Sequence, residues 1–536
     1  MCKASELSIA LFASMNALTC AEAQLHEKEG ETKKECIIIS ALVHAMCVAH
    51  AACEAALTRI EPMYDADSST RDAAAIEVAV ASAIENAHIV VTALEYASTQ
   101  LPLSVLPESV CGDAAMRAAI DAENIGAVAL GVVLLFEFSS IVPPRGLFLC
   151  ALQQGKKSKS NILSILRLLL SSPLLVAHIL DCDNDNNTVL MLACFHECKD
   201  IVNALLACPA VFASAGAANN VGNTALILAS QYGHTEVVTA LLACSVVFES
   251  ANAAGPNGNT ALMAASQYGH TEVVTALLAC SVVFESANAA GPNGNTALMA
   301  AARNGHAHTI HALLSCPAVF ECAGDASSTN DFTALMLAAF FEHTTAIAAL
   351  LTCPAVASSA GAVEYYGGTA LMMASATPNI KVLQALLTCP AVVASASVVN
   401  TNGDTVLMVA SSHGHTKAVM ALLAFPSILE LVGAADKNGD TALMLASRYG
   451  HTKIVLALLA CPAVYQSAGS VNNAGNTALM IASSRGHNQT IVALLTCPTV
   501  VASANAVNNS GETAIALAFR FGYQKIVDAL QPHVLF

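Results

Sequence analysis

Histidine and cysteine are the residues whose types and spacing could do chemistry in this chain. His234, His270, His306, His343, His415, His451 and His487 recur at one place in a repeated pattern. Cys208, Cys244, Cys280, Cys316, Cys353, Cys389, Cys461 and Cys497 recur at another, with Phe425 standing in once. A column of imidazoles could bind metal, and a column of thiols could cross-link. Both need close approach: zinc–nitrogen bonds run at about 2 Å, and a disulfide needs Cα atoms within about 7 Å. Equivalent residues on stacked helices lie about 8–10 Å apart. The columns are therefore expected to be structural, the cysteines as small buried hydrophobes and the histidines as hydrogen-bonding groups. Thiols used in this way fit a reducing, cytoplasmic compartment.

Two local clusters lie outside the columns. Glu85 and His88 have the Glu-x-x-His spacing of carboxylate-bridged metal sites in helical bundles, and His50 and Glu54 could add ligands. A bundle of that kind needs a second such motif, and Cys47-Val48-Ala49-His50 is not one. Cys182, Cys194, His196 and Cys198 resemble a zinc set, but equivalent places in other repeats lack these ligands. No metal and no cofactor is therefore expected. Phosphate-binding Gly-rich loops, a Gly-x-Ser-x-Gly elbow and His-Glu-x-x-His are missing from the sequence, so no catalytic residue is assigned and the chain is not expected to be an enzyme.

Something regular must position these columns, and the sequence shows it directly. Thr188, Thr224, Thr260, Thr296, Thr333, Thr369, Thr405, Thr441, Thr477 and Thr513 open the same string, at steps of 36 residues apart from one of 37 before Thr333. Residues 229–265 are identical to 265–301. In one unit, Asn and Gly before Thr224 suit a tight turn. Thr224 can cap a helix by accepting a backbone N–H, and Ala225, Leu226 and Ala229 then share a face. Gly233 sits where a helix end takes a left-handed residue. Glu236 falls near the positive end of a second helix, whose Val238, Leu241 and Leu242 form a second apolar face. Pro in Cys316-Pro317-Ala318-Val319 predicts a further short helical turn.

Turn, helix, Gly-His, helix, with Asx-x-x-Gly-x-Thr-x-Leu leading in, resembles the ankyrin repeat over residues 181–536. The resemblance implies an all-α solenoid of ten stacked repeats. Two features depart from the family: Thr-Pro-Leu-His becomes Thr-Ala-Leu-Met, and the unit exceeds the usual 33 residues by three. Residues 146–180 read as a degenerate capping repeat, because Pro173 precedes Pro209 by one period and Leu168-Leu169-Leu170 matches a second helix.

By resemblance, such an array binds partner proteins through its concave face, lined by first-helix ends and finger-loop tips. At the first-helix ends stand Tyr232, Tyr268, Phe341, His413, Tyr449 and Phe521. Arg303, Arg448, Arg485 and Arg520 share that region, and Tyr365 and Tyr366 mark one finger tip. These are the residue types that anchor protein interfaces. Arg448, Arg485 and Arg520 form a stripe expected to dock an acidic or amphipathic segment.

Residues 1–145 show no crisp repeat. Helices are predicted over about 4–28, 33–60, 71–99 and 113–138, as either a helical bundle or eroded repeats. The first reading leaves room for an N-terminal effector module, a metal-binding bundle, tethered to a targeting array. A third reading is a membrane-associated adaptor anchored through Ile125 to Val142. Glu137 within that stretch would cost about 2.5–3.5 kcal/mol at mid-bilayer, so a span is not expected. Net charge is −17, with −11 in residues 1–145 and −6 in the remainder. An acidic chain with scattered Lys and Arg repels phosphate backbones, and absent tryptophan leaves little for base stacking. Nucleic acid is thus excluded as a partner. A monomeric scaffold that recognises other proteins is the expectation.

Overall fold

The computed structural model describes residues 113–122, 124–137, 146–153, 159–195, 197, 199–255 and 258–533. His50, Glu54, Glu85 and His88 of the first candidate metal cluster lie outside the described residues, as do His196 and Cys198 of the second. The helices predicted over 4–28, 33–60 and 71–99 also fall outside.

Among the described residues the regular elements are helices. Isolated bridges such as Ala435 with Thr441 and Val471 with Thr477 close finger loops, and no strand forms. The repeat beginning at Thr441 shows how local sequence builds the unit. Thr441 is extended, and its Oγ1 accepts from Met444 N at 3.4 Å, opening the first helix Ala442–Arg448. The same cap closes on the third residue after every threonine of the series, from Thr188 to Thr513. Each is worth about 1 kcal/mol. Gly450 turns the chain at φ +74°. The second helix is Thr452–Leu459, and Pro462 at its first position starts the third, Pro462–Ser467. The short helix predicted after each Cys-Pro is present.

Helices of seven or eight residues lie below the ~12–15 at which an isolated helix becomes stable in water. Their stability comes from packing on the repeats beside them. Leu443, Met444, Ala446, Ile454, Val455 and Leu458 are all buried. Full burial of a side chain such as Leu contributes about 1.5–3 kcal/mol.

The described residues divide into two compact units, one made of those up to 229 together with 234–251, the other of 230–233 and those from 252 onward. Within the second unit first helices pack on first helices and second on second, repeat after repeat. The first unit follows the same order further upstream. Leu147–Gln153 packs on Val189–Cys194, and Lys159–Leu170 on Lys199–Leu206. The pair Asp113–Asp121 and Ile125–Glu137 packs on those two helices in turn.

Only part of Ile125–Val142, the stretch considered as a membrane anchor, falls within the described residues. The described part of that stretch is the helix Ile125–Glu137, and residues 138–142 lie outside the described residues. Val128, Ala129, Leu130 and Val132 are buried against other helices. Among the described residues no single helix is long and apolar enough to cross a membrane.

One seam is tighter than the sequence suggested. The sixth residue after each capping threonine from Thr188 to Thr477 is Cys194, Ser230, Ser266, Ala302, Ala339, Ser375, Ser411, Ser447 and Ser483, and every one has 0% exposure. Only small side chains fit between adjacent first helices.

Candidate functional site

The columns that looked like chemistry turn out to be fasteners between repeats. The Nε2 hydrogen of His270 is donated to the Gln231 carbonyl at 3.0 Å. His306, His343, His415, His451 and His487 repeat the bond to a carbonyl 39 or 40 residues earlier, at 3.0–3.2 Å. Each acceptor lies at the end of the preceding repeat's first helix. The Gly before each histidine also faces the next ring. A Cβ built on Gly414 (φ +79°) would lie 2.6 Å from His451 Cε1. Glycine therefore serves both a left-handed turn and a close approach. One exception fits the same logic: Glu342 takes the glycine place at φ +64° where the following repeat has Asn379 instead of histidine.

The cysteine column is less uniformly buried than expected. Cys244, Cys280, Cys316, Cys353 and Cys497 are buried, whereas Cys208, Cys389 and Cys461 are half-buried. All eight sit at the entry of a third helix in extended backbone, and nothing in that shared place explains the difference. Cys316, Cys353 and Cys497 donate Sγ–H to carbonyls of the preceding repeat at 3.5–3.8 Å, whereas Cys461 donates to Ala457 O within its own repeat. Among the described residues no group of His, Cys, Asp and Glu could hold a metal.

The proposed interface residues occupy one position on successive repeats. Tyr232 and Tyr268 end first helices, while Phe341, His413, Tyr449 and Phe521 cap them. All six are exposed, Tyr449 by 54%. Tyr268 stacks on His270 at 6.3 Å and Tyr449 on His451 at 6.1 Å. His413 stacks similarly on His415, and its Nδ1 donates to Val409 O at 2.9 Å. Tyr268, His413 and Tyr449 are thus stacked on fastening histidines, whereas Phe341 and Phe521 lie against arginines. Tyr365 and Tyr366 stand 72% and 68% exposed at their finger tip, ring against ring at 5.1 Å. Beneath them Glu364 is buried, accepting from the N–H groups of Tyr366 and Gly368.

The arginine stripe is not the uniform cationic surface that its spacing implied. Arg448 is half-buried and clamped to Asp440, a carboxylate with no exposure that also accepts from Asn472 Nδ2 at 2.8 Å. Arg520 pairs with Glu512 at 2.8 Å and lies over the Phe521 ring at 5.4 Å. Arg303 lies over Phe341 of the next repeat at 5.1 Å. Arg485 is exposed, and its repeat has Asn476 where the others have Asp440 and Glu512. Among the described residues, Arg485 alone of the three predicted arginines forms no ion pair with a carboxylate. Sequence reading missed Asp440 and Glu512; the signal was an acid immediately before the capping threonine together with an arginine seven residues after it.

Finger loops add a polar column. Asn472 Oδ1 accepts from Ala474 and Asn476 N–H groups, and Asn508 repeats the arrangement one unit later. Asn473 Nδ2 and Asn509 Nδ2 donate to Lys437 O and Asn473 O of the repeats before them, each at 2.9 Å.

A family model described as ankyrin repeats (3 copies) matches residues 211–288, 245–322, 277–357, 371–468 and 460–534. No curated protein matches the chain. Those family matches span more than half of the sequence and fall on the same repeats in which threonine caps, left-handed glycines and carbonyl-bound histidines recur, so the chain belongs to the ankyrin-repeat family.

Proposed function

We propose that this chain is a non-catalytic scaffold that captures partner proteins along the exposed rings at its first-helix ends, with Tyr365 and Tyr366 as a second anchor. The observation that carries the reading is a contrast within each repeat. Seam positions are fixed and buried, while the adjoining exposed position repeatedly holds an aromatic ring backed by a histidine. Aromatic rings on a rigid support are efficient anchors because little side-chain freedom is lost on binding. Cysteines whose thiols donate to carbonyls across repeats support a reducing intracellular setting. The chain acts as a monomer in this reading, with no nucleic-acid or membrane partner.

The test compares the full chain with a variant carrying Tyr268→Ala, Tyr449→Ala and Phe521→Ala, each expressed as bait in the native cell. Loss of one anchoring ring costs about 2 kcal/mol or more, so true partners should fall at least tenfold in recovery with the variant. Equal recovery of every protein by both baits would sink the proposal. Arg485→Glu is the appropriate charge probe, because reversing Arg448 would strand the buried Asp440 carboxylate.

A further inference from the structure

Second helices Ile380–Leu387, Thr416–Leu422, Thr452–Leu459, Asn488–Leu494 and Gln524–Leu530 pack side by side in that order. Their second residues are Lys381, Lys417, Lys453, Gln489 and Lys525, all exposed. One turn further on, the same outer face carries Gln384, Met420, Leu456, Val492 and Asp528, also exposed. Met420, Leu456 and Val492 leave 62%, 48% and 60% of their surface in water. A basic row thus runs beside an apolar row three repeats wide, bounded by Gln384 and Asp528.

Folding explains neither row. The first turn of a helix favours carboxylates and disfavours cations. Three earlier second helices of this chain obey that rule with Asp200, Glu236 and Glu272 at the same position, and the next two hold His308 and Thr345 there. The four lysines break it, and none forms an ion pair among the described residues. Nor does the core need the apolar row, since Val419, Leu422, Val455 and Leu458 supply the buried side of these helices. Earlier repeats hold Thr239 and Thr275 where these hold Met420 and Leu456.

We infer that this outer face docks an acidic amphipathic helix of a partner protein, separately from the first-helix ends. The spacing selects the occupant. Neighbouring packed helices lie about 8–10 Å apart, and seven residues of an α-helix advance about 10.5 Å. A helix laid across the stack therefore meets one lysine and one apolar side chain per heptad. It must carry carboxylates at seven-residue intervals along one flank and apolar residues at the same interval beside them. An anionic bilayer offers the same charge, but the chain's net −17 repels an extended anionic surface. A single docked helix senses mainly the charges within a screening length of about 8 Å.

The test pans a display library of 21-residue helical peptides, randomised among Glu, Lys, Leu and Ser on an alanine frame, over the full chain. Enriched peptides are expected to share Glu and Leu at seven-residue spacing. They should bind Lys417→Glu/Lys453→Glu, and separately Met420→Thr/Leu456→Thr, at least tenfold more weakly. Both variants only install residues that other repeats of this chain already carry at those positions, so folding is preserved. Tyr449→Ala should leave binding unchanged, which separates this face from the ring row. The inference is overturned if nothing enriches, if enriched peptides lack heptad-spaced carboxylates, or if the lysine reversals leave affinity unaltered. Binding of the full chain to phosphatidylserine–phosphatidylcholine vesicles through the same lysines would also overturn it, in favour of a membrane.

Discussion

Gly414 should answer to two separate demands, and substitution can measure each. Its φ is +79°, and a Cβ there would meet the His451 ring at 2.6 Å. Gly522 has nearly the same backbone, φ +76°, with nothing within 4 Å of its Cβ position. Gly522→Ala therefore reports the left-handed penalty alone, about 1–2 kcal/mol. Gly414→Ala adds overpacking against an imidazole, about 1–3 kcal/mol more. His451→Ala removes the bond to the Ser412 carbonyl at 3.2 Å, worth about 1 kcal/mol, and the contact with the Tyr449 ring, worth about 0.5–1 kcal/mol. In the double variant the ring is gone and the new methyl has space. The pair should thus cost about 1–3 kcal/mol less than the sum of the singles, a coupling of the size seen for residues in direct contact.

Long repeat arrays need not unfold in one step. The assay is therefore hydrogen exchange read by mass spectrometry on peptides covering 442–459, which gives a local opening free energy. If Gly414→Ala costs no more than Gly522→Ala in its own segment, the close-approach argument fails. Additivity of the two singles within about 0.5 kcal/mol would refute it as well.

The same seams yield further expectations. Ser447 has no exposure, whereas Phe519 at the equivalent place in the last repeat is 75% exposed; Ser447→Phe should disrupt its repeat by well over 2 kcal/mol, and Phe519→Ser should leave thermal unfolding unchanged. Ser266 Oγ is buried without a hydrogen-bond partner, while Ala302 and Ala339 hold the same position elsewhere, so Ser266→Ala should stabilise by up to about 1 kcal/mol in urea titration. Burial pushes the Cys194 thiol up from 9.0 to about 12. Because the folded value lies above the unfolded one, its contribution is complete below pH 9 and declines as pH rises towards 12, by about 1.4 kcal/mol per pH unit. Cys194→Ala should flatten that part of the stability–pH curve, and maleimide should label exposed Cys182 well before Cys194 in the native chain.

Which parts of this structure were legible in the sequence depended on how far each cause reaches along the chain. Thr441 capping Met444, Gly450 turning left-handed and Pro462 opening a helix are decided within four residues, and the sequence exposes all three. The aromatic row was also visible, because a surface position that repeats every 36 residues can be read by counting. Arg448 was misjudged because its partner Asp440 lies eight residues away across the cap, in a finger loop, and its availability depended on that fold-back. The histidine bond was expected in kind but not in direction: its acceptor is a backbone carbonyl 39 residues earlier, and backbone acceptors leave no mark in a sequence.

Positions fixed by a seam answer to the neighbouring repeat, and positions outside it answer to whatever binds. That division is testable inside one molecule because residues 229–265 and 265–301 are identical. Identical copies offer a partner the same surface twice and cannot distinguish one register from the next. Discrimination must then come from the repeats that diverged: Tyr365 and Tyr366 over a buried glutamate, an exposed Arg485 where neighbouring arginines are clamped, and lysines where the duplicated copies hold Glu236 and Glu272. These departures cost the fold something or gain it nothing, since a first-turn lysine opposes the helix dipole and an exposed tyrosine buries little. On the proposed reading, these departures assign selectivity to the later repeats and leave the duplicated ones to provide length and rigidity.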